Sequence, residues 1–213
     1  GDEGTAFGDV WDADVHVISS ITIPASWHID RSHDYGFSAP GATIYTAESD
    51  GTEVVINDKR SILPRKSLVI IYEDYIADKD GNGLRLSPIE IGQRIAAFEN
   101  RTRLRGRVHA GPADASIFDY IAGFASIHDY YIQNGVRFYK ADKRTGSRER
   151  GFLFLRQLLQ ATKNRDPENP WILFTKNCTN LISQLPELPL SRENPSDVDT
   201  EADDHLYDAL RYR

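Results

Sequence analysis

Two β-rich runs precede a helix whose start is written into the sequence, and that order narrows the folds open to this chain more than any other signal. Gly41 to Glu48 and Ser67 to Ala77 are rich in Ile, Val, Tyr and Thr, the residues that suit a pleated, half-buried surface. Trp27 to Asp34 reads as a strand before them, unusually polar, ended by Tyr35-Gly36. Ser87-Pro88-Ile89-Glu90 is a capping box with proline at the first helical position, opening a helix to about Asn100. Strand and helix then alternate. Arg107 to Ala110 is a short strand entering Gly111-Pro112, and a helix from about Ile127 stops at Gly135. Val136 to Lys140 is the next strand, and Ser147-Arg148-Glu149-Arg150 opens a helix through Gln160. Trp171 to Thr175 and Thr179 to Gln184 complete the series as strand and short helix. Strands in direct succession favour antiparallel pairing, whereas strands separated by helices favour parallel crossovers. The expectation is an α/β fold: a mixed sheet, antiparallel strands first and parallel ones after, flanked by helices. Residues 1–24 are acidic and Gly-rich, a linker or edge segment, and 25–213 form the domain.

The last stretch, Asn194 to Tyr212, reads as a loop and a helix with Thr200 at the N-cap and Glu201 and Asp203 in the first turn. Ala202, Leu206, Ala209 and Leu210 share one face of it; Asp204, Asp208 and Arg211 share the opposite one. Asp208 then falls near the C-terminal end, where the helix dipole disfavours a negative charge. Acids one turn apart suit a divalent cation, since hard ions take carboxylate oxygens. A solvated acidic face accounts for the same spacing.

Charge is distributed in blocks. The net charge is −7, unfavourable for a general polyanion binder. From Glu187 to Asp208 eight acids face only Arg192, whereas Arg101, Arg103, Arg105 and Arg107, and then Lys140, Lys143, Arg144, Arg148, Arg150 and Arg156, form basic groups. An acidic centre flanked by basic patches is what metal-dependent cleavage of a polyanion requires; two solvated basic faces fit the charges equally well. Cys178 is the sole cysteine, so a disulfide or a cysteine-based zinc site within the chain is excluded, in keeping with a reducing cytoplasm. No apolar run is long enough to span a bilayer. Asp78-Lys79-Asp80-Gly81-Asn82-Gly83 imitates a calcium loop, but its twelfth position is Ile89, so a turn is expected.

Four segments, in order, resemble one family. Asp34-Tyr35-Gly36-Phe37-Ser38-Ala39-Pro40 resembles the motif closing the first strand of the nuclease domain of the large terminase subunit of tailed bacteriophages. Gly111 to Phe118 resembles the motif after its fourth strand, Ala141 to Gly151 has the family's look, and Asn194 to Tyr212 resembles its C-terminal signature. The resemblance implies a ribonuclease H-like fold and a metal-dependent endonuclease that cuts concatemeric viral DNA during packaging. It makes Asp34, Asp114 and the acids of the last helix the expected ligands of two divalent cations, Mg2+ or Mn2+. Asp204 and Asp208, which share a face, are the preferred pair, with Asp203 and His205 as alternatives. Two such ions ~4 Å apart activate a water and stabilise the leaving 3′ oxygen, so no side chain need be the nucleophile. Asp30, on the same side of its strand as Asp34, is expected to support the ligands; Glu73 is a further candidate for that role but reads rather as a solvated strand residue. Lys143, Arg144, Arg148 and Arg150 are the expected contacts to the DNA backbone.

Gly1-Asp2-Glu3 in place of a start residue, no methionine and no phosphate loop lead to the expectation of an excised C-terminal domain. Its partners would be double-stranded DNA, the ATPase motor half, the small terminase subunit and the portal, with no membrane involved, in the host cell cytoplasm. Two other readings stay open: another ribonuclease H-like nuclease, such as a resolvase or transposase core, and a non-catalytic module that docks to the packaging motor.

Overall fold

The computed structural model describes residues 4–199 and 204–213. A four-residue helix, α1 (Ala13–His16), leads into β1 (Val17–Ile18) and β2 (Ile21–Thr22). Then come β3 (His28–Asp34), β4 (Gly41–Glu48), β5 (Val54–Ile56), β6 (Lys59–Ser61) and β7 (Leu68–Ile76). Helix α2 (Pro88–Arg101) is followed by β8 (Val108–Ala113), the hairpin β9 (Tyr120–Ile121) and β10 (Ala125–Ser126), α3 (Ile127–Ile132) and β11 (Tyr139–Lys140). The chain closes with α4 (Ser147–Lys163), β12 (Ile172–Thr175), α5 (Thr179–Gln184) and α6 (His205–Tyr212).

The main sheet runs β1-β12-β7-β4-β3-β8-β11. Its centre, β7-β4-β3, is antiparallel, and the strands added on each side are parallel to their neighbours. The expected mixed architecture is the observed one. Alternate residues of the central strands feed different cores. Ala42, Ile44, Leu68 and Ile70 pack with α4, α5 and α6, while Tyr45, Ala47, Val69 and Ile71 pack on the other face beneath the small sheet β2-β5-β6. Burial on both faces is why these strands read as nearly continuous apolar runs. A third cluster, with Ile91 and Ile95 of α2 and Tyr131 of α3, lies at the end of the sheet towards Ile76 and Ala113.

Much of the polarity of β3 is met by partners far away in sequence, although Arg31 Nε and Ser32 Oγ are buried without one. Arg31 Nη1 donates to Glu99 Oε1 of α2 at 2.7 Å, both side chains buried, and Tyr45 Oη donates to the same oxygen at 3.3 Å. His33 lies between Thr43 Oγ1 (2.9 Å) and Tyr131 Oη (2.8 Å), and complete burial drives its pKa down to about 3, so the ring is neutral. These bonds let a strand carrying two histidines, two aspartates and an arginine sit inside the sheet.

Several boundaries differ from expectation. The stretch before residue 25, read as a linker or edge segment, supplies the edge strand β1, but it also buries Ala6, Phe7 and Val10 in the main core, which a linker would not. Strand β8 runs on through Gly111-Pro112 to Ala113, whereas β11 shrinks to its last two residues. The capping box of α2 is formed in both directions. Glu73 is not a solvated strand residue: its carboxylate accepts the N–H groups of Asn180 (3.2 Å) and Leu181 (2.8 Å) and so caps α5. The calcium-loop mimic is a turn in which Asp78 Oδ1 accepts from the N–H groups of Asp80 and Asn82, both at 2.9 Å. Helix α6 begins at His205 with Asp204 at its N-cap, later than a Thr200 cap requires; Thr200, Glu201, Ala202 and Asp203 lie outside the described residues. Asp208 is therefore in the first turn, where the dipole favours it. Among the described residues, no helix is long and apolar enough to cross a membrane.

Candidate metal centre

Topology places two of the expected acids together. β3 and β8 are parallel neighbours, with His33 opposite Ala113, so Asp34 and Asp114 both follow at the carboxyl ends of adjoining strands. This is where open α/β sheets present their ligands. Gly111 permits the approach: a Cβ there would stand 2.1 Å from the carbonyl oxygen of Arg31. Asp114 caps a turn of 3-10 helix, accepting from the Ser116 N–H (3.2 Å) and hydroxyl (2.9 Å), and pairs with Lys143 Nζ at 3.2 Å. Burial pushes its carboxyl upward, but the Ser116 bonds and the Lys143 ammonium outweigh that and hold it below the usual range.

Helix α6 supplies the rest. Leu206, Ala209 and Leu210 are buried in the main core, as their shared face predicts. That fixes the other face over β3 and β4, and residues at positions i, i+3 and i+7 (His205, Asp208 and Tyr212) line up along it. His205 Nδ1 donates to Asp34 Oδ2 at 3.2 Å, and Tyr212 Oη donates to Asp34 Oδ1 at 3.4 Å. Asp34 is buried, and burial raises its pKa, reinforced by the negative charges of Asp208 and Asp114 and opposed by His205. Asp204 is pushed up to about 7 by burial, then by Asp208 and Asp34. Asp34 thus feels Asp208 and Asp114, and Asp204 feels Asp208 and Asp34.

Cations already stand among them. Arg148, at the start of α4, donates to Asp197 through Nε (2.7 Å) and Nη2 (3.3 Å) and reaches Asp208 at 3.5 Å and Asp204 at 3.9 Å. Arg211 adds a 3.1 Å contact to Asp208. Arg148, expected on DNA, is turned inward to the acids; nothing in its sequence position distinguishes it from its neighbours. Arg144 pairs with Asp142 and is largely exposed, and Arg150 bonds to Thr145 O and Asp142. Asp30 is held by Arg213 (2.8 Å) and His28 (3.3 Å), so it ties the chain's last residue to β3. Asp203 lies outside the described residues.

The donor set, carboxylate oxygens with one imidazole, suits a hard divalent ion, and such an ion would compensate the burial of Asp34 and Asp204 that their protein partners only partly offset. Among the described residues, no three acid, histidine or cysteine side chains form a ready-made cage.

The mixed sheet of this order, with helices packed against it, has the ribonuclease H-like fold. Among solved structures the chain is similar to nuclease domains of phage large terminases. It superposes on the P22 large terminase nuclease domain with a TM-score of 0.65 at 12% identity, covering 99% of this chain and 90% of that one. Against the nuclease of the thermophilic phage G20c with bound cobalt, the TM-score is 0.57 at 8% identity, covering 99% and 96%. Against the large terminase of another thermophilic bacteriophage it is 0.63 at 18% identity, covering 96% of this chain but 43% of that protein's length. No family model and no curated protein sequence matches the chain.

Proposed function

We propose that the chain is a metal-dependent DNA endonuclease, the nuclease part of a genome-packaging terminase. The observation that supports it best is the meeting of Asp34, Asp114 and the His205–Asp208–Tyr212 face of α6 at one end of the sheet. Asp34, Asp114, Asp204 and Asp208 would hold the divalent cations, Mg2+ or Mn2+, with His205 beside Asp34; the G20c nuclease carries bound cobalt in one structure and bound zinc in another. A pair of such ions supplies Lewis-acid activation of water and stabilisation of the leaving oxygen in phosphodiester hydrolysis.

The chain's own residues do the positioning. His205 and Tyr212 fix both oxygens of Asp34, and Lys143 and Ser116 fix Asp114, so neither carboxylate is free to rotate. Arg148, beside Asp197, Asp204 and Asp208, offsets part of their negative charge, with Arg211 adding to it at Asp208. Lys143, Arg144 and Arg150, all more than half exposed, line the entry and hold phosphates without reading sequence. The ATPase motor half, the small terminase subunit and the portal are the partners this reading assigns, and the host cell cytoplasm its place. Nicking of supercoiled plasmid tests it: activity with manganese, none in EDTA, and none in Asp34→Asn or Asp114→Asn. Full manganese-dependent activity in either variant refutes the ligand assignment, and no cleavage under any metal favours a docking module.

A further inference from the structure

The loop after Asp114 carries a surface that the metal centre does not use. Strands β9 and β10 form a hairpin, Ala125 opposite Ile121 and Ser126 opposite Tyr120. Its turn residues, Ala122 (φ 53°) and Gly123 (φ 76°), are both left-handed, and Phe124 N–H closes the turn onto Ile121 O at 3.1 Å. Two left-handed central residues match the twist of the flanking strands, so this is a built hairpin. It ends in water with its apolar side chains outward: Phe124 is 87% exposed, Tyr120 71% and Ile121 55%. Phe124 is the most exposed large apolar side chain among the described residues.

The root of the hairpin joins it to the candidate centre. Phe118, in the 3-10 turn that Asp114 caps, packs its ring on His128 at 4.6 Å, and Lys140 Nζ lies 5.9 Å over the same ring. Lys143, three residues on, touches Asp114. Tyr139, beside Lys140 on the edge strand β11, is a further exposed ring. Exposed aromatic rings with lysines at their root, one of them touching Asp114, match one occupant in both shape and charge. A nucleic-acid strand runs its phosphates past lysines and stacks its bases on rings, and every base has a face that can stack. A base within an intact duplex has no free face, so such a tip engages bases that are unpaired.

We infer that the 120–126 hairpin is a stacking platform for unpaired DNA bases, holding a locally opened strand beside the carboxylate cluster, with Phe124 and Tyr120 as the rings. This rests on the nuclease reading and deepens it.

Binding is measured in EDTA by fluorescence anisotropy, with a labelled single strand of about 20 nucleotides, enough to cover one such site, and its duplex. Phe124→Ala and Tyr120→Ala should each weaken single-strand binding about tenfold while changing duplex binding less. Phe124→Trp should retain it, whereas Phe124→Leu, equally apolar, should behave like alanine. Melting curves should be unchanged for all, since the tip packs against no core cluster. Leucine as good as phenylalanine, or alanine without effect, overturns the inference. So does a wild type that self-associates in sedimentation and is freed by Phe124→Ser with DNA affinity unchanged, which makes the tip a contact between copies. If wild type cleaves DNA while the tip variants bind normally, only this inference falls. If wild type neither binds nor cleaves DNA, the nuclease reading falls with it.

Discussion

Asp204→Asn probes the charge stored in the metal-free cluster. The Asp204 carboxyl is buried, and burial with Asp208 and Asp34 nearby pushes it up to about 7, against 3.8 when solvated. A carboxyl whose pKa is higher in the folded state binds its proton more tightly there than in the unfolded chain. Its contribution to stability is therefore fully present below about pH 3.8 and lost as pH rises to about 7, at about 1.4 kcal/mol per pH unit. By pH 8 the metal-free protein has lost about 4 kcal/mol from this group, a large share of a typical domain's stability. Asparagine keeps the shape and removes the titration. Urea unfolding in EDTA at pH 5, 6.5 and 8 should show Asp204→Asn gaining on wild type as pH rises, from about 1.6 kcal/mol at pH 5 to about 4 kcal/mol at pH 8. Asp34→Asn should move the same way, since burial raises Asp34 too, and the double variant should gain less than the sum because each charge is part of the other's penalty. An advantage no larger at pH 8 than at pH 5 would refute the reasoning, because it would mean that Asp204 is not a buried, repelled carboxylate.

Glu99→Gln leaves Arg31 buried without its counter-charge and should cost about 3–5 kcal/mol in urea unfolding. Gly111→Ala forces a methyl against the Arg31 carbonyl oxygen, where a Cβ would stand 2.1 Å away; the variant should melt well below wild type and lose activity by displacing Asp114. The Cys178 thiol is buried and pushed up to about 12, so iodoacetamide at pH 8 should label it only after urea unfolding, and rapid labelling of the folded protein would place it elsewhere than in the core.

What could be read from the sequence follows how local each signal is. The capping box at Ser87, the β-branched runs of β4 and β7 and the left-handed Gly135 are decided within a few residues, and they appear where expected. Strand β3 reads poorly because its polarity is explained only by Glu99, Tyr131 and Arg213, up to 183 residues away. The hairpin β9–β10 leaves little trace because Ala122-Gly123 turns without the Asn-Gly or Asp-Gly pair that marks most such turns. Arg148 is the clearest case. Its place in a basic run points outward to DNA, yet its partners Asp197, Asp204 and Asp208 come from a segment that only the fold brings near.

The last helix shows why a site can defeat local rules that serve the rest of the chain. Capping rules look for a side chain that bonds to the first free N–H groups, and Thr200 fits that pattern. The helix instead starts behind Asp204, which makes no side-chain bond to the helix backbone. Its carboxylate faces Arg148 at 3.9 Å and is raised by its acidic neighbours. A cap is worth about 1 kcal/mol, less than the repulsion this position accepts. A chain selected for stability alone would bond Asp204 to the helix or replace it, so the violated rule marks the residue as one kept for the cluster. The same shift moves Asp208 into the first turn, on the side that carries His205 and Tyr212 onto Asp34. Asp208 therefore looks across to β3, and the acids of the helix and the strand face one another.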